Sequence, residues 1–108
     1  MDFFKNRVFA FTPKGDVIDL PEGGSVVDFA YHVHSDIGNR ATGAKVNGKF
    51  VSLESKLHNG DIVDVTVQKN AKPNPKWLEF VKTSIARNRI RAYFKLNPIE
   101  KKYEKYLN

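Results

Sequence analysis

Four turn sequences divide the first 69 residues into segments so short that only strands and one helix fit between them. Pro and Gly occur together in Pro13–Asp16 and Pro21–Gly24, and Asn47–Gly48 and His58–Asp61 contain the Asn-Gly pair that favours tight turns. Only the stretch between the second and third turns is long enough for a helix. The spacing therefore predicts a small α+β domain.

The segments between these turns have the composition of strands. Aromatic and β-branched residues fill Arg7–Thr12, and Val17–Leu20 continues the extended pattern after the first turn. Gly43–Val46 and Lys49–Val51 flank the Asn-Gly turn as a second hairpin, and Ile62–Val67 is predicted to be the last strand. With the first and last strands paired at the centre, the result is a mixed sheet of β-grasp type around one helix.

A single helix is predicted to begin after Ser25. Ser25 is a typical N-cap residue, and Asp28 stands three residues on, where a capping box has its acidic partner. Apolar residues then recur at helical spacing at Val26, Phe29, Ala30, Val33 and Ile37. Gly38 or Asn39 is predicted to end this helix in the left-handed conformation.

The basic charge of the chain is concentrated after residue 69. Residues 1–69 contain eight Lys and Arg against nine Asp and Glu, whereas residues 70–108 contain ten against three. We therefore predict a β-grasp domain over residues 7–69, followed over residues 70–108 by a linker and a basic helical extension that starts another helical domain. Such asymmetry favours a polyanionic partner, and a solvated helix surface explains it equally well.

Within the extension, Asn74 and Pro75 predict the N-cap and first residue of a helix that Pro98 limits. Arg87, Arg91 and Lys95 recur every four residues on it and would form a basic stripe able to follow a phosphate backbone. The apolar residues of the same segment are Trp77, Phe80, Val81, Ile85, Ile90, Tyr93 and Phe94. In the alternative interpretation, this apolar side packs on a missing neighbouring domain.

Several classes of function are disfavoured by the composition. The chain has no Cys, which excludes disulfides, thiolate nucleophiles and zinc–thiolate sites. No phosphate-binding glycine loop of a known pattern occurs. Apolar runs are too short for a membrane span or a signal peptide, so a cytoplasmic location without membrane contact is predicted. We expect no catalytic residues, metal or other cofactor in this chain.

The two neighbouring histidines, His32 and His34, do not have the spacing of a metal site, since they point in different directions on a helix. The run His34–Asp36 is not a catalytic triad either, because adjacent residues do not adopt that geometry. From the residues alone, His34 either hydrogen-bonds or stacks on a base, or caps the end of the helix. The capping role is favoured.

Several stretches together resemble the TGS domain of the RelA/SpoT family of (p)ppGpp synthetases and hydrolases. They are Val8–Val17, Asp28–Gly38, Gly43–Gly48, Leu57–Asp61 and Trp77–Phe94. The resemblance covers about residues 7–95 and implies a ubiquitin-like β-grasp fold. The family's catalytic motifs do not occur, so any (p)ppGpp activity would belong to a longer parent chain.

The resemblance also implies a function. In this family the TGS domain contacts the acceptor end of tRNA on the ribosome, where the uncharged CCA terminus is sensed in the stringent response. By position, this contact would be made by His34, with His32 as the second candidate. Together with Arg87, Arg91 and Lys95, they are the predicted RNA-binding residues.

Two other kinds of partner stay open. Some similar proteins use the TGS domain to bind acyl carrier protein, and the domain could also contact the parent's own catalytic domains. The β-grasp sulfur carriers share the Leu-x-x-Gly-Asp turn, but they end in Gly-Gly after the last strand. Here Val67–Lys69 continues into a Pro-containing linker, which argues against that class.

Overall fold

The structure is a computed structural model that describes residues 6–107. Met1–Lys5 and Asn108, the last residue of the predicted extension, lie outside the described residues. The strands are β1 (Arg7–Phe11), β2 (Val17–Pro21), β3 (Ala41–Val46), β4 (Lys49–Val51) and β5 (Val63–Val67). The α-helices are α1 (Val26–Val33), α2 (Ser35–Arg40) and α3 (Ser84–Leu96), and 3-10 helices span Pro75–Glu79 and Lys101–Tyr106.

The strands form two antiparallel sheets joined by a parallel bridge. Strand β1 pairs with β2, while β3 lies between β4 and β5. A parallel bridge between Phe11 and Ile62, with the Phe11 N–H donating to the Asp61 carbonyl at 2.8 Å, places the first strand beside the last. The predicted α+β fold of β-grasp type is confirmed.

The Asn-Gly turn has the geometry that its sequence predicts. Asn47 has φ 52° and Gly48 has φ 84°, both in the left-handed region that a two-residue hairpin of this kind requires. The register that follows pairs Val46 with Lys49 and Ala44 with Val51. This local signal is strong because it depends on only two adjacent residues.

The predicted single helix is in fact two. His34 is extended, with φ −170° and ψ 146°, and it separates α1 from α2. The prediction that Gly38 or Asn39 ends the helix in a left-handed conformation is wrong, because α2 continues through both to Arg40. The break arises because the His34 side chain caps a new helix N-terminus.

Helix α1 is buried on two faces. Val26 and Phe29 face the sheet in a first core cluster, with Val8, Ala10, Leu20, Ala44, Leu57 and Val63. On its other side lie Val27 and Tyr31, in a second cluster with Trp77, Val81, Ala86, Ile90 and Phe94 from the extension. The β-grasp helix is therefore enclosed by the sheet on one side and by the extension on the other.

The extension does not contain the continuous helix predicted from Pro75 to Pro98. Asn74 does cap a helix, accepting a hydrogen bond from the Lys76 N–H at 2.9 Å, but it is a 3-10 helix of five residues. A new helix, α3, starts at Ser84 with Thr83 as its N-cap. Trp77 and Phe94 are each 7% exposed, so the alternative in which their stripe faces a missing domain is wrong for these residues.

Candidate nucleic-acid interface

Helices α1 and α2 meet at His34, the first of the predicted RNA-binding residues. The His34 backbone N–H donates to the Ala30 carbonyl at 3.1 Å and closes α1, while its carbonyl accepts the Gly38 N–H at 3.1 Å and opens α2. Its Nδ1 accepts the Asp36 N–H at 3.0 Å. One residue thus caps both helices, while its side chain stays exposed. His34 does lie at a helix end as expected, but its side chain caps the start of α2 and not the end of α1, and this leaves the outer edge of the imidazole accessible.

The hydrogen bond at Nδ1 fixes what His34 presents to solvent. Because Nδ1 accepts a bond from a backbone N–H, it carries no proton, and in the neutral ring the proton is on Nε2. His34 therefore presents an N–H donor on an imidazole whose orientation is set by the start of α2. This tautomer follows from the bonding partner, since an amide N–H can only donate.

His32 has the opposite arrangement. Its Nδ1 lies 2.7 Å from the Asp28 backbone carbonyl, which can only accept, so this nitrogen carries the proton. In the neutral ring, Nε2 is then an acceptor. His32 is half-buried and lines a crevice of about 390 Å³ with Arg7, Lys82 and Ser84, at the start of α3. The structure thus gives the two histidines different surroundings.

A narrow apolar crevice lies between the helix junction and the last strand. It has a volume of about 160 Å³ and is lined by Thr12, Pro13, Phe29, Val33, Ile37, Val63, Asp64 and Val65. Val33, which is 40% exposed, immediately precedes His34, and Ile37 lies on the first turn of α2 after it. A slot of this kind suits one flat ring or one apolar side chain.

The three residues of the predicted basic stripe differ in their availability. Arg87 is half-buried, and its Nη2 donates to the Val81 carbonyl at 3.2 Å. Arg91 and Lys95 are exposed, as is the neighbouring Arg89. Since α3 contacts both α1 and α2, the stripe lies on a helix that supports the His34 junction.

A buried carboxylate that sequence reasoning treated only as a local cap holds α3 in place. Asp28 is fully buried; its Oδ1 accepts the Thr83 N–H at 2.9 Å and the Thr83 hydroxyl at 2.8 Å. Both carboxylate oxygens lie 3.1 Å from the Lys82 N–H, and Oδ2 accepts the Ser25 N–H and hydroxyl at 2.9 and 2.8 Å. These bonds offset the cost of burying the carboxylate and join the starts of α1 and α3.

Tyr31 connects the last turn of α1 to both α2 and the extension. Its hydroxyl donates to Asn39 Oδ1 at 2.8 Å, and its ring lies edge-on to Trp77 with centroids 6.5 Å apart. Burial, and to a smaller extent the neighbouring Tyr93, raises the pKa of Tyr31 far above its ordinary value. The hydroxyl therefore stays protonated as a donor.

The described residues show no other obvious chemistry. Within residues 6–107, no three His, Asp or Glu side chains converge as metal ligands would. In that same range, none of the helices combines the length and the apolar character needed to cross a membrane.

Comparison with known proteins adds a family to this geometry. The sequence pattern of the TGS domain matches residues 8–67. The chain is 54% identical over 101 residues to the GTP pyrophosphokinase of Myxococcus xanthus, covering 94% of the chain and 13% of that protein. It is 57% identical over 95 residues to the GTP pyrophosphokinase of Streptomyces coelicolor, covering 86% of the chain and 11% of that protein.

The name of a third relative gives two activities, (p)ppGpp synthesis and hydrolysis. The chain is 50% identical over 95 residues to the bifunctional (p)ppGpp synthase/hydrolase RelA of Mycobacterium tuberculosis, covering 86% of the chain and 13% of that protein. Across the curated relatives described here, the chain spans only 11–13% of their length.

Proposed function

The chain belongs to the TGS domain family, in its RelA/SpoT form, and on that premise we propose that it is a regulatory module that binds the uncharged 3′ CCA end of tRNA at the ribosome. The synthesis and hydrolysis of (p)ppGpp named in its relatives would be carried out by the parts of those proteins that the chain does not cover. The proposal rests mainly on one observation, the exposed imidazole of His34 held by the start of α2.

A fixed imidazole suits recognition of a single-stranded RNA end. Unpaired bases are recognised by stacking and by hydrogen bonds to their edges, and His34 offers a flat ring with an N–H donor at Nε2. Because Nδ1 is already bonded to the Asp36 N–H, little side-chain freedom is lost on binding. The donor would pair with acceptor atoms of a base or ribose.

The crevice beside Val33 and Ile37 supports a preference for a free terminus. A terminal base placed in this slot of about 160 Å³ would bring its ribose to the rim of the crevice. An amino acid esterified to that ribose would add bulk where the contact is close. The proposed interface would then favour uncharged over charged tRNA.

The basic residues would contribute attraction for the phosphate backbone. Arg91 and Lys95 are exposed for this purpose, Arg87 is partly committed to Val81, and His32 faces the separate crevice at the start of α3. Contacts of this kind position an RNA without reading its sequence, and they weaken as salt is added. We assign base contact to His34 and backbone contact to the stripe.

The test separates the capping role of His34 from its ligand role. Asn is among the best N-cap residues, so His34→Asn keeps α2 capped while removing the ring and its Nε2–H. We expect this variant to unfold at the same temperature as the unsubstituted chain. It should bind an uncharged CCA-ended RNA hairpin about tenfold more weakly, as expected for the loss of one stacked base. Fluorescence anisotropy with the uncharged and aminoacylated hairpins measures both affinity and selectivity.

The control is a hairpin that lacks the CCA end. This hairpin should bind the unsubstituted chain and His34→Asn with equal affinity, since it can contact only the basic stripe. Equal affinity of both proteins for the CCA-ended hairpin would reject the proposed role of His34.

The exposed cations of α3 also support a second candidate, an acidic protein partner such as acyl carrier protein or an acidic surface on a catalytic domain of the parent. Such a partner would depend on Arg91 and Lys95 and not on His34. Binding that is lost on reversing those two charges, and unchanged by His34→Asn, would favour this candidate.

A further inference from the structure

The orientation of His34 depends on the short helix α2, and α2 lies against the ring of Tyr31. The Asp36 N–H that bonds His34 Nδ1 and the Gly38 N–H that bonds the His34 carbonyl both belong to α2. Both bonds lie in the first turn of α2, so a displacement of this helix carries the imidazole with it. Whatever fixes α2 therefore also fixes the imidazole.

Gly38 shows how closely α2 approaches Tyr31. A Cβ atom at Gly38 would lie 2.3 Å from Tyr31 Cδ1 and 2.4 Å from Tyr31 Cγ, far inside van der Waals contact. Gly38 does not have a positive φ, so space under the ring, and not backbone conformation, requires glycine here. Beside this contact, the Tyr31 hydroxyl bonds Asn39 at 2.8 Å.

The same ring also contacts the extension. Trp77 meets Tyr31 edge-on, and both lie in the cluster that includes Val81, Ile90 and Phe94. Close-packed side chains are barely compressible, so a displacement of one is transmitted to its neighbours. Tyr31 is thus in contact with both α2 and the helical extension.

We propose that Tyr31 is a positioning residue for His34, which makes the orientation of the imidazole depend on the helical extension. Tyr31 holds α2 in place through its contacts with Gly38 and Asn39. Tyr31 is in turn held by Trp77, which lies outside the TGS segment matched over residues 8–67. The consequence for RNA rests on the proposed function. The effect on the His34–Asp36 hydrogen bond does not.

The first test is Gly38→Ala, with Gly43→Ala as its matched control. At Gly43 a Cβ would meet only the Val51 carbonyl at 3.6 Å, an ordinary contact. We expect Gly38→Ala to speed hydrogen exchange of the Asp36 amide about tenfold or more, as overpacking does. The ¹⁵N resonance of His34 Nδ1 should move as its bond weakens, and Gly43→Ala should leave both signals unchanged.

Two milder variants keep the test decisive if Gly38→Ala does not fold. Tyr31→Phe keeps the ring but removes the bond to Asn39, so Asp36 exchange should rise about two- to tenfold. Trp77→Phe changes a residue of the extension and leaves α1 and α2 unsubstituted. It should change the Asp36 exchange rate and the His34 resonance in the same direction as Tyr31→Phe does. If both variants fold, and the Asp36 exchange rate and the His34 resonance stay as they are in the unsubstituted chain, the proposed positioning role of Tyr31 is wrong.

Binding of the CCA-ended hairpin distinguishes the two proposals. A change in the Asp36 and His34 signals with a loss of affinity supports both. The same change with unaltered affinity supports the positioning role and rejects the RNA contact of His34.

Discussion

The two ends of helix α1 are built in opposite ways. At its start, Asp28 is fully buried and both of its oxygens accept hydrogen bonds, including bonds from Lys82 and Thr83 in the extension. At its end, His34 is exposed and uses one ring nitrogen to cap α2, which leaves the other facing solvent. The difference indicates that the buried end stabilises the fold and the open end is available for a ligand.

Replacing Asp28 should have the largest effect on stability. Asp28→Ala leaves the buried Thr83 N–H and the Lys82 N–H without their acceptor and removes the partner of Ser25. We expect the free energy of unfolding to fall by about 3 kcal/mol or more. Urea unfolding followed by Trp77 fluorescence measures this loss, and a loss below about 1 kcal/mol would show that the buried end is not the main anchor.

Thr83 tests the other half of the same contact with a smaller expected effect. Its hydroxyl donates to Asp28 Oδ1 at 2.8 Å and accepts the Ala86 N–H at 3.1 Å as the N-cap of α3. Thr83→Ala should cost about 1–2 kcal/mol. Thr83→Ser retains the hydroxyl and should recover most of this stability in the same urea titration. Equal losses for Ala and Ser would mean that the hydroxyl is not responsible.

His34 should show the reverse balance between stability and binding. His34→Ala removes one N-cap, so the free energy of unfolding, measured by thermal unfolding, should fall by only about 0.5–1 kcal/mol. Its affinity for the CCA-ended hairpin should nevertheless fall as far as that of His34→Asn. Asn keeps the cap, so a large loss of stability in His34→Asn would show that the His34 end of α1 also stabilises the fold.

The basic stripe should give the smallest effects. Arg91→Ala and Lys95→Ala should leave unfolding unchanged and each lower the salt dependence of RNA binding by about one unit of slope. Arg87→Ala should instead reduce stability slightly, because its guanidinium bonds the Val81 carbonyl. Titrating affinity against salt concentration separates the three residues, and identical slopes for all variants would exclude the stripe from the interface.

Local signals in the sequence predicted most of the β-grasp fold correctly. The Asn47–Gly48 turn, the Ser25–Asp28 capping box and the Asn74 cap all form as expected. Each depends on residues within three or four positions of one another, so the chain nearby already contains the information. The strands that these turns separate follow directly.

The candidate site was only partly accessible to the same reasoning. The sequence placed His34 at a helix end. It did not predict the break in the helix, because apolar residues continue at helical spacing across it. Val27 and Tyr31 gave a usable signal, since a helix with apolar residues on a second face is covered on both sides. Thr83 was a further signal, as a typical N-cap residue one position before α3.

The sequence by itself determined the order of strands and turns, the N-caps at Ser25 and Asn74 and the concentration of charge after residue 69, because these depend on neighbours along the chain or on composition. Only the tertiary structure decided that Asp28 bonds Thr83, 55 residues away, and that Tyr31 packs against Trp77. Such contacts join residues far apart in sequence. They form only when packing of the sheet and the extension on opposite faces of α1 brings those residues together.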